Sequence, residues 1–389
     1  MKIGARNVSL LLIALAAVTL GACRKQPAAG QQSTNKSATA PEQDAPIGGA
    51  APSGEKFYFR GTIAGSLRIE MTLLRDREQL TGSYFYPKVG KNIELKGSID
   101  KQGNVELKES DENGKETGIF KGKWKAATNS PDASLSDIEG KWSRPDGSKE
   151  TAFTLSQQPI EFSGAIRLVP KLIREANKEA HYTIDAEYPQ VEGDTRFDKF
   201  NREARSTVNG EVAKWKTSET ASASESGPEA ATETQDSSLS IRYDFRMARD
   251  DLISMEFYQG AYSRGAAHPN SFTTVLNYDV KSGKKLSLSD LFNPKSNYLN
   301  VISSYCIKDL KQQAQKTKDS MLSDESIGSG ASARADNYKA WAITRKGLWI
   351  TFDPYQVAPY AAGPQYVLVP YSALKDIIKP DGPIATFAK

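Results

Sequence analysis

Between residues 55 and 157 apolar side chains recur at every second position. Phe57, Phe59 and Ile63 alternate with polar residues, as do Leu67, Ile69, Met71 and Leu73, then Leu80, Tyr84 and Tyr86, then Ile93, Leu95 and Ile99. Val105 and Leu107, Phe120 and Trp124, Ile138 and Trp142, and Phe153 and Leu155 continue the series. A period of two places each set on one face of a pleated strand. Residues that tolerate tight turns separate the runs at Asp100 to Gly103, at Asp111 to Gly114 and at Pro145-Asp146-Gly147. About eight short strands punctuated in this way predict an all-β antiparallel meander, closed as a small barrel or folded as a sandwich. Glycine stands two positions before a large side chain at Gly82, Gly97, Gly122 and Gly140, which predicts a neighbouring ring lying over the strand.

From residue 159 onward the period changes. The alternation from His181 to Val191 through Tyr182, Ile184, Ala186 and Tyr188 predicts a strand ending at Pro189, with His181 at its start. Thr195 then opens a helix with Asp198 in the capping-box position, and Phe197, Phe200, Ala204, Val208, Val212 and Trp215 form one apolar stripe. The Ser/Thr/Ala/Glu-rich stretch from Thr217 to Ser237 reads as a mobile insertion. Strands are expected near 238–247, 251–262 and 271–280, a helical turn at 287–292, and a helix over 297–316 with Leu299, Ile302, Cys306 and Leu310 on one side. Strands near 338–343 and 347–352 and a terminal helix over 371–378 complete the chain. Grouped strands and helices imply an α+β domain, helices packed on an antiparallel sheet, over 159–389.

The first 54 residues fit neither pattern. Lys2 and Arg6 precede an apolar run from Val8 to Leu20, shorter than the about 20 residues of a membrane span. The run ends in Leu20-Gly21-Ala22-Cys23, which resembles the lipobox of bacterial lipoproteins. That resemblance implies a signal peptide over 1–22, acylation of Cys23, and attachment to a lipid bilayer through it. Arg24, rather than Asp, follows the cysteine, which by similarity to lipoprotein sorting implies an outer-membrane lipoprotein facing the periplasm. Residues 24–54 carry hardly a bulky apolar side chain and read as a disordered tether.

Composition removes several function classes. With 51 Lys+Arg against 47 Asp+Glu the net charge is +4, so no strongly basic surface for nucleic acid is available. Two cysteines and two histidines cannot build a disulfide framework, a Cys-rich zinc site or a three-His metal site within one chain, and no cofactor is expected. With Cys23 acylated, Cys306 has no intramolecular partner.

Candidate contact residues fall in three places. Gly265 to Asn270 is a sharp bend with His268 at its tip, flanked by Tyr262 and Asn270. His268 is suited either to a polar contact or general-base role, or to holding the bend through its ring nitrogens. Phe352 to Pro364 is rich in Pro and Tyr; Tyr355 and Tyr360 suit a rigid recognition loop, whereas Asp353 suits capping of free amides in a buried connection. Trp124 and Trp142 serve either as stacking platforms at a barrel mouth or as core filling. No nucleophile–base pair stands at motif spacing, and no catalytic residue is assigned.

These segments also carry a family likeness. Gly265-Ala266-Ala267-His268-Pro269-Asn270, Leu276-Asn277-Tyr278-Asp279, Gly283 to Phe292, Phe352 to Pro364 and Val369-Pro370-Tyr371 together resemble the RsiV-type C-terminal domain. Tyr182 to Gln190 is similar to the companion domain that precedes it, also found at the front of PdaC-type polysaccharide deacetylases. The likeness spans roughly 160–380 and implies fold more than activity. The RsiV type is a membrane-anchored anti-sigma factor that binds lysozyme, and the PdaC type carries its deacetylase chemistry in a different domain. The resemblance therefore implies a non-enzymatic envelope module binding a lysozyme-like muramidase or peptidoglycan glycan. The alternatives are a peptidoglycan-associated structural lipoprotein and a hydrolase or deacetylase acting on cell-wall polysaccharide. Residues 159–389 hold 29 Lys+Arg and 29 Asp+Glu, so recognition of a basic lysozyme must rest on a local patch.

Overall fold

The computed structural model describes residues 54–127, 134–225, 235–317 and 320–387. The expected leader, Cys23 and the tether lie outside the described residues.

The alternating segments form β1 (Glu55–Ile63), β2 (Leu67–Asp76), β3 (Gln79–Phe85), β4 (Ile93–Ile99), β5 (Asn104–Ser110), β6 (Glu116–Ala126), β7 (Ser136–Ser143) and β8 (Thr151–Gln157). Each pairs antiparallel with the next, and β1 pairs back with β8 from Phe59↔Gln157 to Ile63↔Phe153, so the meander closes as a barrel. Phe59, Ile69, Leu73, Leu80, Leu107, Phe120 and Ile138 point inward and fill it. The recurring glycines have a different cause from the one their spacing suggests. A Cβ at Gly82 would lie 2.0 Å from the Thr72 carbonyl oxygen and one at Gly140 2.1 Å from that of Lys121. Close approach of neighbouring backbones in a tightly coiled sheet requires them, and only at Gly122 does a ring, that of Phe153 at 3.0 Å, also lie over the position.

The second region is built on a seven-stranded sheet. Its strands are β9 (Ile160–Glu161), β10 (Arg167–Asn177), β11 (Tyr182–Glu192), β12 (Ser237–Arg249), β13 (Leu252–Tyr262), β14 (Asn270–Asp279) and β15 (Lys284–Lys285), in the order β10-β11-β12-β13-β14-β15 with β9 on β12. Helix α1 (Asp198–Glu225) connects β11 to β12, which pair in parallel. The sheet is therefore mixed where a purely antiparallel one was expected: a parallel neighbour needs a long crossover, and α1 supplies it. Phe200, Ala204, Val208 and Val212 of α1 share a core with Ile184, Ala186, Ile241, Met255 and Phe257. Strand β11 passes Pro189, which faces Pro170 across the ladder. Pro170 lies on the outer strand of the sheet and Pro189 lies beyond Tyr182–Ala186, the part of β11 that pairs with β12, so each has a side that carries no ladder. The cap ahead of α1 is Asp194, whose side chain accepts from the Arg196 N–H, and α1 begins at Asp198. The helix runs on to Glu225, through the first part of the stretch whose composition predicts a loop, and 226–234 lie outside the described residues.

The remaining chain forms α2 (Tyr298–Lys316), α3 (Asp324–Gly330), a three-stranded sheet of β16 (Trp341–Ile343), β17 (Gly347–Phe352) and β18 (Gln365–Pro370), and α4 (Tyr371–Leu374). Ile302, Cys306 and Leu310 of α2 pack with Leu348, Ile350, Phe352, Val367 and Val369. Helix α4 is shorter than expected, because the chain turns after Leu374 and Ile378 bridges to Phe292. Strands β10 and β18 and helix α3 were not expected. Among the described residues no helix is long and apolar enough to cross a membrane.

Ala50–Lys389 forms one compact unit. The barrel contributes Tyr58, facing away from its own core, to the core under α1, where its hydroxyl donates to the Ile166 carbonyl at 3.3 Å. Arg60 donates to Glu70 (2.9 Å), the Tyr243 carbonyl (2.5 Å) and Asp244 (3.1 Å), and lies 4.5 Å over the Tyr243 ring. Arg68 binds Glu187 through two bonds of 3.0 and 2.9 Å.

Candidate functional site

Two loops far apart in sequence meet at one end of the long sheet. The first joins β13 to β14; Gly265 at φ +81° and an Ala266 N–H to Ser263 carbonyl bond of 2.9 Å form its turn, and Pro269 leads into β14. The second joins β17 to β18; Gln356 N–H donates to the Asp353 carbonyl at 3.0 Å, and Tyr360–Ala362 make a 3-10 turn closed by Gly363 at φ +66°. Tyr355 adopts φ +71°, a left-handed conformation that a bulky side chain rarely takes.

Three rings from these loops form a ledge. His268 stacks on Tyr360 with centroids 4.0 Å apart and planes 23° apart. Tyr355 lies beside them, 5.6 Å from Tyr360 and 6.5 Å from His268, with interplanar angles of 33° and 34°. His268 Nδ1 lies 3.0 Å from the Pro269 carbonyl, which can only accept, so Nδ1 carries the proton. In the neutral ring Nε2 then accepts from the Tyr355 hydroxyl at 3.3 Å. Tyr360 donates to the same Pro269 carbonyl at 2.6 Å. Both ring nitrogens of His268 are thus engaged, and its ring acts as a spacer between the two loops. Tyr355 is 63% exposed, so one ring of the ledge is open to solvent.

Asp353 fastens the second loop to the sheet. Its Oδ2 accepts from the Thr273 N–H of β14 at 3.1 Å, and burial raises its carboxyl above the usual aspartate range against the lowering effect of that bond. Val357 and Ala358 are buried beneath it. The loop is therefore open to solvent at Tyr355 and a buried connection at Asp353 and Val357. Asn270 is exposed at the first position of β14, and Tyr262 is half-buried at the end of β13 opposite Ser238.

A charged network lies between the two sheets. Glu256, wholly buried on β13, accepts from Arg246 Nε (2.5 Å), the Tyr258 hydroxyl (2.7 Å) and the Thr351 hydroxyl (2.5 Å). The Arg246 guanidinium lies 4.5 Å over Trp349, which stacks on Tyr366 at 5.2 Å. Burial and the adjacent Glu256 carboxylate push the Tyr258 phenol well above its ordinary range. These residues escape sequence reasoning, because Ser254, Glu256 and Tyr258 occupy the polar phase of β13 and only the packing of β16 and β17 encloses them.

In the barrel, Trp124 makes edge contacts with Phe57 and Phe59 at 4.9 and 5.2 Å and packs against the core. Trp142 donates its indole N–H to Glu109 at 3.1 Å. Glu109, 4% exposed, also accepts from the hydroxyls of Tyr84 (2.5 Å) and Thr117 (3.0 Å). A Cβ at Gly118 would meet Trp142 and Glu109 within 2.6 Å, so that glycine makes room for the pair. Both tryptophans thus pack into the barrel. His181, at φ +51° before β11, pairs with Asp236 at 3.1 Å, and Cys306 is a buried free thiol whose pKa burial raises.

Residues 289–372 match a family described as a protein of unknown function (DUF3298). That span holds Asp353, Tyr355 and Tyr360 but not His268, so the ledge straddles its boundary. The chain is 29% identical over 146 residues to the peptidoglycan-N-acetylmuramic acid deacetylase PdaC of Bacillus subtilis, a match covering 38% of this chain and 30% of that protein. It is 27% identical over 126 residues to the immunogenic protein MPT64 of Mycobacterium tuberculosis, covering 32% of this chain and 51% of that one. A crystal structure of a DUF3298 family member from Bacteroides fragilis aligns with 59% of this chain and 99% of its own, at 17% identity and a TM-score of 0.42. The chain therefore spans less than two thirds of the curated relatives it matches, and its C-terminal region contains the segment that matches the DUF3298 description.

Proposed function

We propose that this protein is a non-enzymatic binding module of the bacterial cell envelope, with the His268–Tyr355–Tyr360 ledge as its contact surface. The observation that carries the reading is the convergence of two separate segments, 265–270 and 352–364, on one internally braced group of rings with Tyr355 open to solvent. Rigid amphipathic rings lose little entropy on binding, and aromatic residues are enriched where proteins make contacts. The partial likeness to a peptidoglycan deacetylase supports a cell-wall setting, in which the partner is the glycan or a lysozyme-like enzyme acting on it. His268 supports a binding role over a general-base role, since its ring nitrogens already bridge Pro269 and Tyr355.

The test is to incubate the protein with purified sacculi and, separately, with a c-type lysozyme. Co-sedimentation with sacculi or inhibition of lysis is the expected result; altered muropeptides without either would replace the binding account with an enzymatic one. Acylation at Cys23 would hold the module at a membrane, and the Leu20-Gly21-Ala22-Cys23 motif supports that placement. Cys23→Ala is expected to leave the protein folded and move it from the membrane to the soluble fraction. Its persistence in membranes would sink the lipid-anchor assignment.

A further inference from the structure

We infer that the ledge is a carbohydrate subsite, which seats a pyranose ring of an N-acetylhexosamine glycan on the open face of Tyr355. The inference rests on the ledge being the contact surface and names what it recognises.

Four observations favour a sugar over a protein surface. The exposed group is small: Tyr355 is largely open while His268 and Tyr360 are half-buried, whereas a stable protein interface needs about 800 Å² from each partner. His268 and Tyr360 stack face to face at 4.0 Å and 23° and thereby back Tyr355, whose largely open ring can meet the flat C–H face of a single sugar. Next, the nearby carboxylate of Asp353 turns inward onto the Thr273 N–H. A neutral ring then meets no desolvated charge. Finally, Asn270 is exposed and directly follows Pro269, whose carbonyl accepts from both His268 and Tyr360, and its amide offers a donor and an acceptor of the kind an acetamido group requires. The left-handed backbone at Tyr355 is an observed outlier of the kind that persists at ligand sites. The braces from His268 and Tyr360 hold the ring in place before any ligand arrives.

The experiment uses the full chain in detergent and titrates chitotetraose, with maltotetraose as the sugar lacking acetamido groups, by calorimetry and saturation-transfer NMR. Chitotetraose is expected to bind. Tyr355→Ala should weaken it by about three- to tenfold, the loss of one aromatic contact. Tyr355→Phe and Tyr355→Trp should retain binding, which separates ring stacking from a folding defect. Equal affinity for maltotetraose, or chitotetraose binding unmoved by Tyr355→Ala, overturns the inference. So does the absence of chitotetraose binding by a chain that still sediments with sacculi, an outcome that leaves the envelope-binding reading standing. Failure to bind either sugar, sacculi or lysozyme overturns both.

Discussion

Asp353 and Glu109 are both enclosed carboxylates, and they differ in how far the chain announces them. Asp353 sits next to Pro354 at the end of a strand, and a short acidic side chain there is a natural cap for a free amide. The Thr273 N–H is such an amide. Its raised pKa has a defined consequence. A carboxyl whose folded pKa exceeds its unfolded value binds protons more readily in the native state, so its contribution to stability declines as pH rises from below about 3.9 through the folded pKa. Asp353→Asn keeps an oxygen acceptor but cannot ionise. Relative to the wild type, the variant should therefore gain stability between pH 3 and pH 7, measured by urea unfolding at the two values; a constant difference would show that the buried charge is not a cost. Sequence reasoning passes over Glu109, although a signal is there: it continues the inward phase of Val105 and Leu107 along β5. A carboxylate in phase with core positions signals a buried network, and the three neutral donors around it bear this out. Glu256 gave no such warning, because it lies in phase with polar neighbours.

At the scale of elements, regular periodicity was readable and interrupted periodicity was not. The stripe Phe200, Ala204, Val208 and Val212 follows the helical repeat through several turns, and each residue is buried in α1. Phe200→Ala should destabilise the protein by about 3–5 kcal/mol, the usual cost of deleting a buried ring. Arg205→Ala, on the exposed side, should stay within about 0.5 kcal/mol. Chemical denaturation distinguishes the two, and similar values would mean that α1 is not held by this face. The eight barrel strands were readable for the same reason. Strand β10 was not, since Pro170 and Lys171 interrupt its apolar positions, and Pro170 is tolerated because β10 is the outer strand of its sheet. The parallel pairing of β11 and β12 was also hidden, because nothing in either strand states which neighbour it will take.

For the molecule as a whole, the contacts of Tyr58, Arg60 and Arg68 make the barrel and the mixed sheet parts of one structure. Arg60→Ala would leave Glu70, 8% exposed, without its guanidinium, a loss of about 3–5 kcal/mol for a broken buried pair. The expected readout is thermal unfolding that changes from one transition to two, followed by near-UV circular dichroism and hydrogen exchange. A single transition at lower temperature would mean that other contacts suffice to couple the regions. The closed barrel carries a further consequence for self-association. Its strands are paired on both sides, so it presents no free edge to a second copy. On the long sheet the outer strand β10 bears Arg167, Pro170, Lys171 and Arg174, which oppose the addition of another strand. Crowded copies would then meet through side chains and loops, leaving the ledge on each available to its own ligand.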